Sequence, residues 1–562
     1  MPSLPRTLFL ALVAGSTLVQ SSSCRPPTTV RAPTANLDNG TYVGLHNKEY
    51  DQDFFLGIPY AQAPVGSLRF AAPQPLTETF DEPRSATEYG WMCIGYGSDT
   101  ANLGNPVNED CLTLNVVRPV GVKAGDDLPV GVWLHGGSYI MGGSRDPRYN
   151  LSYVVEQSVA EGKPIVAVSI NYRLSYWGFL FSQEMQEEGA GNIAFRDQRL
   201  ALQWLHDNIA AFGGGPDKVT IWGESAGARS LGMQLIAYDG QHDGLFRSAI
   251  LESGSPVAKY TNAAGWQPYF NALAARTGCG HASDRLECLR HVPWKTLSDI
   301  FNGTIALNVT APTLSAVIDG DFITSHAPTL LKEGKFAKVP LLAGNNADEG
   351  TAYAQQGIST DAQFEAWLTT LGFTSDQIAS VFELYPNDPV LGIPASYVGI
   401  PPEVPYGLQF KRVAAFAGDY QQHAGRRLLV ETYADARLPV YSYLWDVLVN
   451  GLPSPLYGAT HFQEVAFVFN NFEGVGYEAN PFANKPYSYI ELADLMSKMW
   501  VHFMHDTDPN FQQASLEWPL YDTTNGEPNN LFFDTTHEDL GYVAADDYRS
   551  EAIAYLQENV YN

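Results

Sequence analysis

The chain has 562 residues, 45% of them hydrophobic, enough to bury a large core. Sixty-one acidic side chains stand against 33 lysines and arginines, a formal net charge of −28. That excess repels phosphate backbones and anionic bilayers, so nucleic acid and acidic membrane surfaces are poor partners. The charges are dispersed rather than gathered into a tail, the pattern of a soluble, self-repelling surface.

The first residues read as a targeting segment. Arg6 supplies a positive start, residues 8–19 are mainly apolar, and Ser21, Ser22 and Ser23 offer small residues for cleavage. The apolar run is too short to span a bilayer comfortably, and no later stretch is apolar and uninterrupted enough to do so. Residues 1–23 are therefore expected to be a signal peptide, leaving 24–562 as the mature chain, secreted and without stable membrane insertion. Five cysteines suit an oxidising compartment. Cys24 sits at the junction; Cys93, Cys111, Cys279 and Cys288 allow three connectivities, of which sequential pairing is the simplest. Cys279, His281 and Cys288 are close, but nothing nearby completes a zinc set, so no metal is expected. Asn39, Asn150, Asn302 and Asn308 each begin an Asn-x-Ser/Thr sequon and are candidate glycosylation sites.

After a Pro/Thr-rich stretch at 25–35, short β-rich segments run to about residue 75. A strand–helix alternation begins from residue 115. Strands are expected at 130–134, 165–170, 219–222, 248–251, 339–343 and 440–444. Helices are expected at 152–161, 194–212 and 225–236, with Gly213-Gly214-Gly215-Pro216 as a break. This rhythm predicts an α/β protein with a large, mostly parallel sheet covered by helices. Residues 256–335 and 355–435 read as helical, loop-rich insertions around it. One large domain is expected, because the candidate functional residues lie on both sides of these insertions.

The segment Gly223-Glu224-Ser225-Ala226-Gly227 joins an apolar strand to a helix with no intervening loop. Ser225 therefore sits on a sharp turn, with its hydroxyl at the carboxyl edge of the sheet and near a helix N-terminus. A serine hydroxyl is a weak nucleophile and needs a base oriented by a third group. Asp348 and Glu349, in a polar loop after the 339–343 strand, are the candidate acids. His461 follows a strand and a Pro-rich loop and is the leading base, with His423, His505 and His537 as rivals. Leu134-His135-Gly136-Gly137-Ser138-Tyr139 lies directly after another strand, where backbone N–H groups could bind an oxyanion together with Ala226 N–H.

With these pieces in order, the sequence resembles the type-B carboxylesterase/lipase family, α/β-hydrolases that include fungal lipases and cholinesterases. Residues 57–70, from Gly57-Ile-Pro-Tyr to Leu-Arg-Phe70, resemble the family's N-terminal signature, and Glu109-Asp-Cys-Leu-Thr-Leu-Asn115 its cysteine-bearing one. The glycine turn at 135–137, the Ser225 elbow, Asp348-Glu-Gly350 and Gly458-Ala-Thr-His461 follow in the family's order, so the likeness spans nearly the whole mature chain. The resemblance implies Ser225 as nucleophile, Glu349 rather than Asp348 as acid, and His461 as base. It also implies oxyanion donors at Gly137, Ser138 and Ala226, disulfides Cys93–Cys111 and Cys279–Cys288, and no cofactor. Ser138 departs from the glycine common there, so a narrower pocket is expected.

The substrate implied is a small-molecule ester. In fungal lipases the loop between the first two cysteines is a longer amphipathic lid. Here residues 94–110 are short and polar, which favours soluble or medium-chain esters over emulsified triglyceride. The loop lacks a Trp where cholinesterases keep an aromatic platform for a quaternary ammonium, and Trp91 lies just outside it. Catalytically dead adhesion proteins of this fold lose the nucleophile, whereas Ser225, Glu349 and His461 are all present. A lactonase or acyl-transferring enzyme would carry the same triad.

Overall fold

A computed structural model describes residues 32–524 and 528–561. The expected signal peptide and Cys24 lie outside the described residues. Eleven strands form one sheet: β1 (Leu45–Asn47), β2 (Gln52–Pro59), β3 (Thr113–Pro119), β4 (Leu128–Leu134), β5 (Val166–Ile170), β6 (Gly214–Glu224), β7 (Ser248–Glu252), β8 (Leu341–Asn346), β9 (Val440–Trp445), β10 (Asn529–Phe533) and β11 (Gly541–Ala545). Their spatial order is β1-β2-β3-β5-β4-β6-β7-β8-β9-β10-β11. The run from β5 to β10 is parallel, and the sheet is antiparallel towards both edges.

Side-chain alternation along the strands explains why the sheet is covered on both faces. Val130, Val132 and Leu134 of β4, Val219 and Ile221 of β6, and Ala249 and Leu251 of β7 enter one core. Helices α2 (Ile193–Asn208), α3 (Ala226–Ile236), α5 (Phe410–Gly418), α6 (Ala424–Asp435) and α8 (Ser550–Asn559) contribute their apolar faces to it. Trp133, Trp222, Ile250 and Leu342 point the other way, against α1 (Leu151–Ala160) and α7 (Ser488–Asp506). Two-sided burial is what makes these strands read as continuous apolar runs. A satellite core forms under α4 (Ala263–Arg276), within the first expected insertion.

The expected elements are present, with two differences. The Gly213–Pro216 break does not separate helix from strand: α2 stops at Asn208, a 3₁₀ turn takes Ile209–Phe212, and β6 already begins at Gly214. A register shift against β4 between Gly214 and Val219 absorbs the glycines and Pro216. The other difference is an extension, since α7, β10 and β11 lie beyond the elements expected above. Both expected disulfides, Cys93–Cys111 and Cys279–Cys288, are formed. Of the sequons, Asn302 and Asn308 are exposed and Asn39 and Asn150 half-buried; the Asn150 side chain caps α1 by accepting from Ser152 N–H. Among the described residues no helix is long and apolar enough to cross a membrane.

Candidate active site

Ser225 and Glu349 stand just beyond the ends of β6 and β8, and His461 lies in the loop that follows β9, all on the carboxyl side of parallel strands. That side is where α/β folds build sites, because consecutive loops there converge while the strands hold them rigid. Ser225 follows β6 directly and has φ +55 and ψ −120, a conformation that L-residues rarely adopt. Its N–H donates to the Glu252 carbonyl at 2.9 Å, and its own carbonyl accepts from Arg229 N–H in the first turn of α3. The flanking glycines are required by packing: a Cβ at either Gly223 or Gly227 would collide with the Leu134 carbonyl oxygen. That collision explains the pattern in physical terms, since the turn is pressed against the end of β4.

His461 and Glu349 complete a hydrogen-bonded relay. His461 Nε2 lies 2.8 Å from Ser225 Oγ, and His461 Nδ1 lies 2.7 Å from Glu349 Oε2. Glu349 is fully buried, and its Oε1 accepts from Ser253 Oγ at 2.5 Å and from Asn346 N–H at 2.9 Å. Asp348, the alternative acid, faces elsewhere. Its Oδ2 accepts from Ala459 N–H at 2.8 Å, while its own N–H donates to the Ala459 carbonyl, so it joins the loop bearing Glu349 to the loop bearing His461. Burial pushes the Asp348 carboxyl up to about 7. The rival histidines are remote from this relay. His423 is buried beside Arg549, Arg426 and Arg427, where burial and those charges keep it neutral. His505 pairs with Asp506, and His537 is exposed.

The glycine turn after β4 faces the elbow. A Cβ at Gly136 would stand 2.8 Å from the Glu224 carbonyl oxygen and 3.1 Å from Ser225 Cβ, so the two turns touch. Gly137, Ser138 and Tyr139 all have positive φ, and the N–H groups of Gly137 and Ser138 donate to no carbonyl among the described residues. Ala226 is the first residue of α3, so its N–H lacks an intrahelical acceptor by position. Three backbone N–H groups without an acceptor carbonyl among the described residues thus lie on the two touching turns. Ser138 is exposed and keeps its N–H available, while its side chain occupies space a glycine would leave open. His135 is pinned beneath by Tyr172, whose hydroxyl donates to the His135 carbonyl at 2.7 Å and whose ring stacks on the imidazole. Burial lowers His135 to about 4, so it is a neutral strut.

Sequence reasoning missed a group of buried carboxylates around the relay. Glu224 Oε1 lies 3.2 Å from His461 Nε2. Burial, with Glu464, Glu349 and Glu252 nearby, pushes Glu224 well above the usual carboxylate range. Glu464 is held by Asn346 Nδ2 at 2.5 Å, and burial together with the Glu349 charge raises it to about 7. Glu252 accepts from Trp500 Nε1 at 2.7 Å and is likewise raised by burial. Glu224, Glu252 and Asn346 close β6, β7 and β8, so the strand ends were the signal that could have found them.

The loop between Cys93 and Cys111 covers this edge with a single helical turn, Ser98–Ala101, and exposes no large apolar side chain. Arg69 grips Glu109 with two bonds of 2.6 and 2.8 Å, tying the 57–70 segment to the base of the loop. Arg148 pairs with both Asp99 of the loop and Asp146, and stacks over Phe462 next to His461.

Comparison with known proteins places the fold and the family. A crystal structure of Aspergillus niger EstA superposes with a TM-score of 0.79 at 27% identity, covering 93% of this chain and 98% of that one. A PNB esterase structure has the same fold, with a TM-score of 0.74 at 24% identity, covering 93% of this chain and all (100%) of its own. The architecture is therefore that of an α/β-hydrolase. Lipase 2 of Diutina rugosa is 35% identical over 94% of this chain and 96% of its own. Secreted lipase 1 of Botryotinia fuckeliana (strain B05.10) is 33% identical over 96% and 94%. The model of the Carboxylesterase family matches residues 27–550, and the chain belongs to that family. It is a carboxylic ester hydrolase.

Proposed function

We propose that the protein is a secreted serine esterase that works through an acyl-enzyme on Ser225, with residues 24–562 acting as one domain. The observation that carries this reading is the unbroken relay Ser225–His461–Glu349, with bonds of 2.8 and 2.7 Å. His461 Nε2 takes the Ser225 proton as Oγ attacks the ester carbonyl, and Glu349 holds the ring and stabilises the imidazolium. The tetrahedral oxyanion is bound by the N–H groups of Gly137, Ser138 and Ala226. His461 then protonates the departing alcohol, and a water that it activates releases the acid. Neither a metal nor a cofactor enters this sequence. Secretion is supported by the N-terminal leader, by the two disulfides and by the names of relatives such as secreted lipase 1. Asn39, Asn150, Asn302 and Asn308 are its proposed glycosylation sites.

The short polar cover loop supports soluble or medium-chain esters as substrates. A second reading, a lipase on long-chain acylglycerols, is favoured by the apolar loop at 389–408. Val390, Val398 and Val404 there are 83%, 93% and 83% exposed, and Glu403 is the one charged residue. This loop flanks the His461 loop, with Pro394 against Gly458 and Tyr406 beside Tyr457. An apolar rim of that kind could rest on an oil surface. Turnover of p-nitrophenyl esters from acetyl to palmitoyl separates the two. Highest kcat/KM at short or medium chains, without a jump above the solubility limit, is expected. Long-chain preference with such a jump would establish the lipase.

A further inference from the structure

Behind the oxyanion turn lies a cavity of about 250 Å³ whose charge is opposite to that of the molecule. Arg229 and Lys259 line it, and no carboxylate does among the described residues, in a chain with 61 acidic side chains. Arg229 is half-buried one turn along α3 from Ser225, about 6 Å along the helix axis. Among the described residues its guanidinium bonds only to Gln421, at 2.6 Å to the carbonyl oxygen and 3.2 Å to the amide oxygen. Lys259 stands more exposed and has no acidic partner within the described residues; its ammonium lies 5.0 Å from the Phe373 ring centre. This contrasts with Arg173, Arg426 and Arg549, each of which grips a buried carboxylate. Two cations left without anions in one cavity are an electrostatic deficit that an anionic ligand would remove.

The remaining lining narrows the chemistry of that ligand. Val257, Leu314 and Leu371 offer an apolar wall, and Thr313, Ser315 and Thr370 offer hydroxyls. A bare inorganic ion would leave the apolar wall uncovered, whereas a carboxylate on a short hydrocarbon stem satisfies both halves. Tyr139, adjacent to the proposed donor Ser138, is part of the same lining. We propose that this cavity binds an aliphatic carboxylate through Arg229 and Lys259. The carboxylate is either a free acid or the distal arm of a diacid half-ester whose ester end reaches Ser225. Binding of the free acid is independent of the roles assigned above to Ser225, His461 and Glu349; the half-ester source rests on them.

The test is calorimetric titration of the full-length wild-type protein with hexanoate, repeated with Lys259→Gln and Arg229→Gln and in high salt. Affinity is expected to fall roughly tenfold in each variant, as befits loss of one charge-assisted contact, and to weaken with salt. Circular dichroism and thermal melting check that each variant is folded; Lys259→Gln, being more exposed, carries the test if Arg229→Gln is not. Unchanged affinity in folded Lys259→Gln, or no binding by the wild type at millimolar hexanoate, overturns the proposal. A second arm identifies the source, comparing kcat/KM for monomethyl adipate with that for methyl hexanoate. A ratio that falls about tenfold in Lys259→Gln assigns the cavity to the acyl arm of the substrate. A ratio that stays constant while hexanoate binding falls assigns it to the free acid.

Discussion

At the scale of single residues, the elbow is governed by contact with the end of β4. Ser225 holds a strained backbone because Glu252 accepts its N–H and α3 begins at once behind it. Gly227 tolerates no Cβ, since the Leu134 carbonyl fills that space. Gly227→Ala is therefore expected to destabilise the protein by about 1–3 kcal/mol through overpacking. Because the displaced groups carry Ser225 and the oxyanion turn, kcat should fall more than KM rises. Urea denaturation together with steady-state kinetics would check both. Strand, turn and chain order mark Ser225 and put His461 ahead of its rivals, whereas the choice of Glu349 over Asp348 comes from the family resemblance. Glu224, Glu252, Ser253 and Glu464 were not legible in sequence, since their importance lies in being buried together, and proximity between separate strands leaves no mark in any one segment.

At the scale of elements, the cover loop is held at its base rather than by a core of its own. The Cys93–Cys111 bond closes it with a sequence separation of 18, Arg69 grips Glu109, and Arg148 grips Asp99. Removing the disulfide as the double variant Cys93→Ser/Cys111→Ser should cost about 3 kcal/mol, following the entropy of a loop of that length. The Cys279–Cys288 bond, with a separation of 9, should contribute less. Differential scanning calorimetry of the two double variants tests that order. The elements themselves were largely readable: β4 to β9 and α1 to α3 follow from apolar runs and helical spacing. The start of β6 was not, because Gly-Gly-Pro reads as a break until a neighbouring strand supplies the register shift. Strands β10 and β11 are short, lie towards one edge and have a mixed pattern, so their place becomes apparent only once β9 is there to pair with β10.

At the scale of the whole molecule, the buried carboxylates under the relay make stability depend on pH. Asp348 and Glu464 are raised to about 7, against about 4 in an unfolded chain. Between those values the folded state holds protons that the unfolded state has released. Their stabilisation is therefore complete below about pH 4 and is lost as pH rises through about 7. His135 and His423, buried and neutral, act in the opposite sense once unfolded histidine begins to protonate below about 6.5. Asp546, held low by Arg426 and Arg427 against the opposing effect of burial, adds stability above about pH 4 that is lost on further acidification. Tm should consequently rise as pH is lowered from about 8 to about 6.5, the window in which the raised carboxylates dominate. Glu464→Gln and Asp348→Asn should each flatten that rise, as thermal melts across the window would reveal. The sequence conveyed the net charge of −28 plainly. It could not convey that some of those carboxylates sit buried beside one another, which is what sets the direction of this dependence.

The central claim is that Ser225 is the nucleophile. Treating the purified protein with a serine-directed fluorophosphonate and mapping the adduct by peptide mass spectrometry tests it most directly. One phosphonyl group on the peptide containing Ser225 is expected, with activity lost in step with labelling and with Ser225→Ala neither labelled nor active on p-nitrophenyl esters. Labelling at another serine, or a Ser225→Ala variant that retains the wild-type rate, would contradict the account.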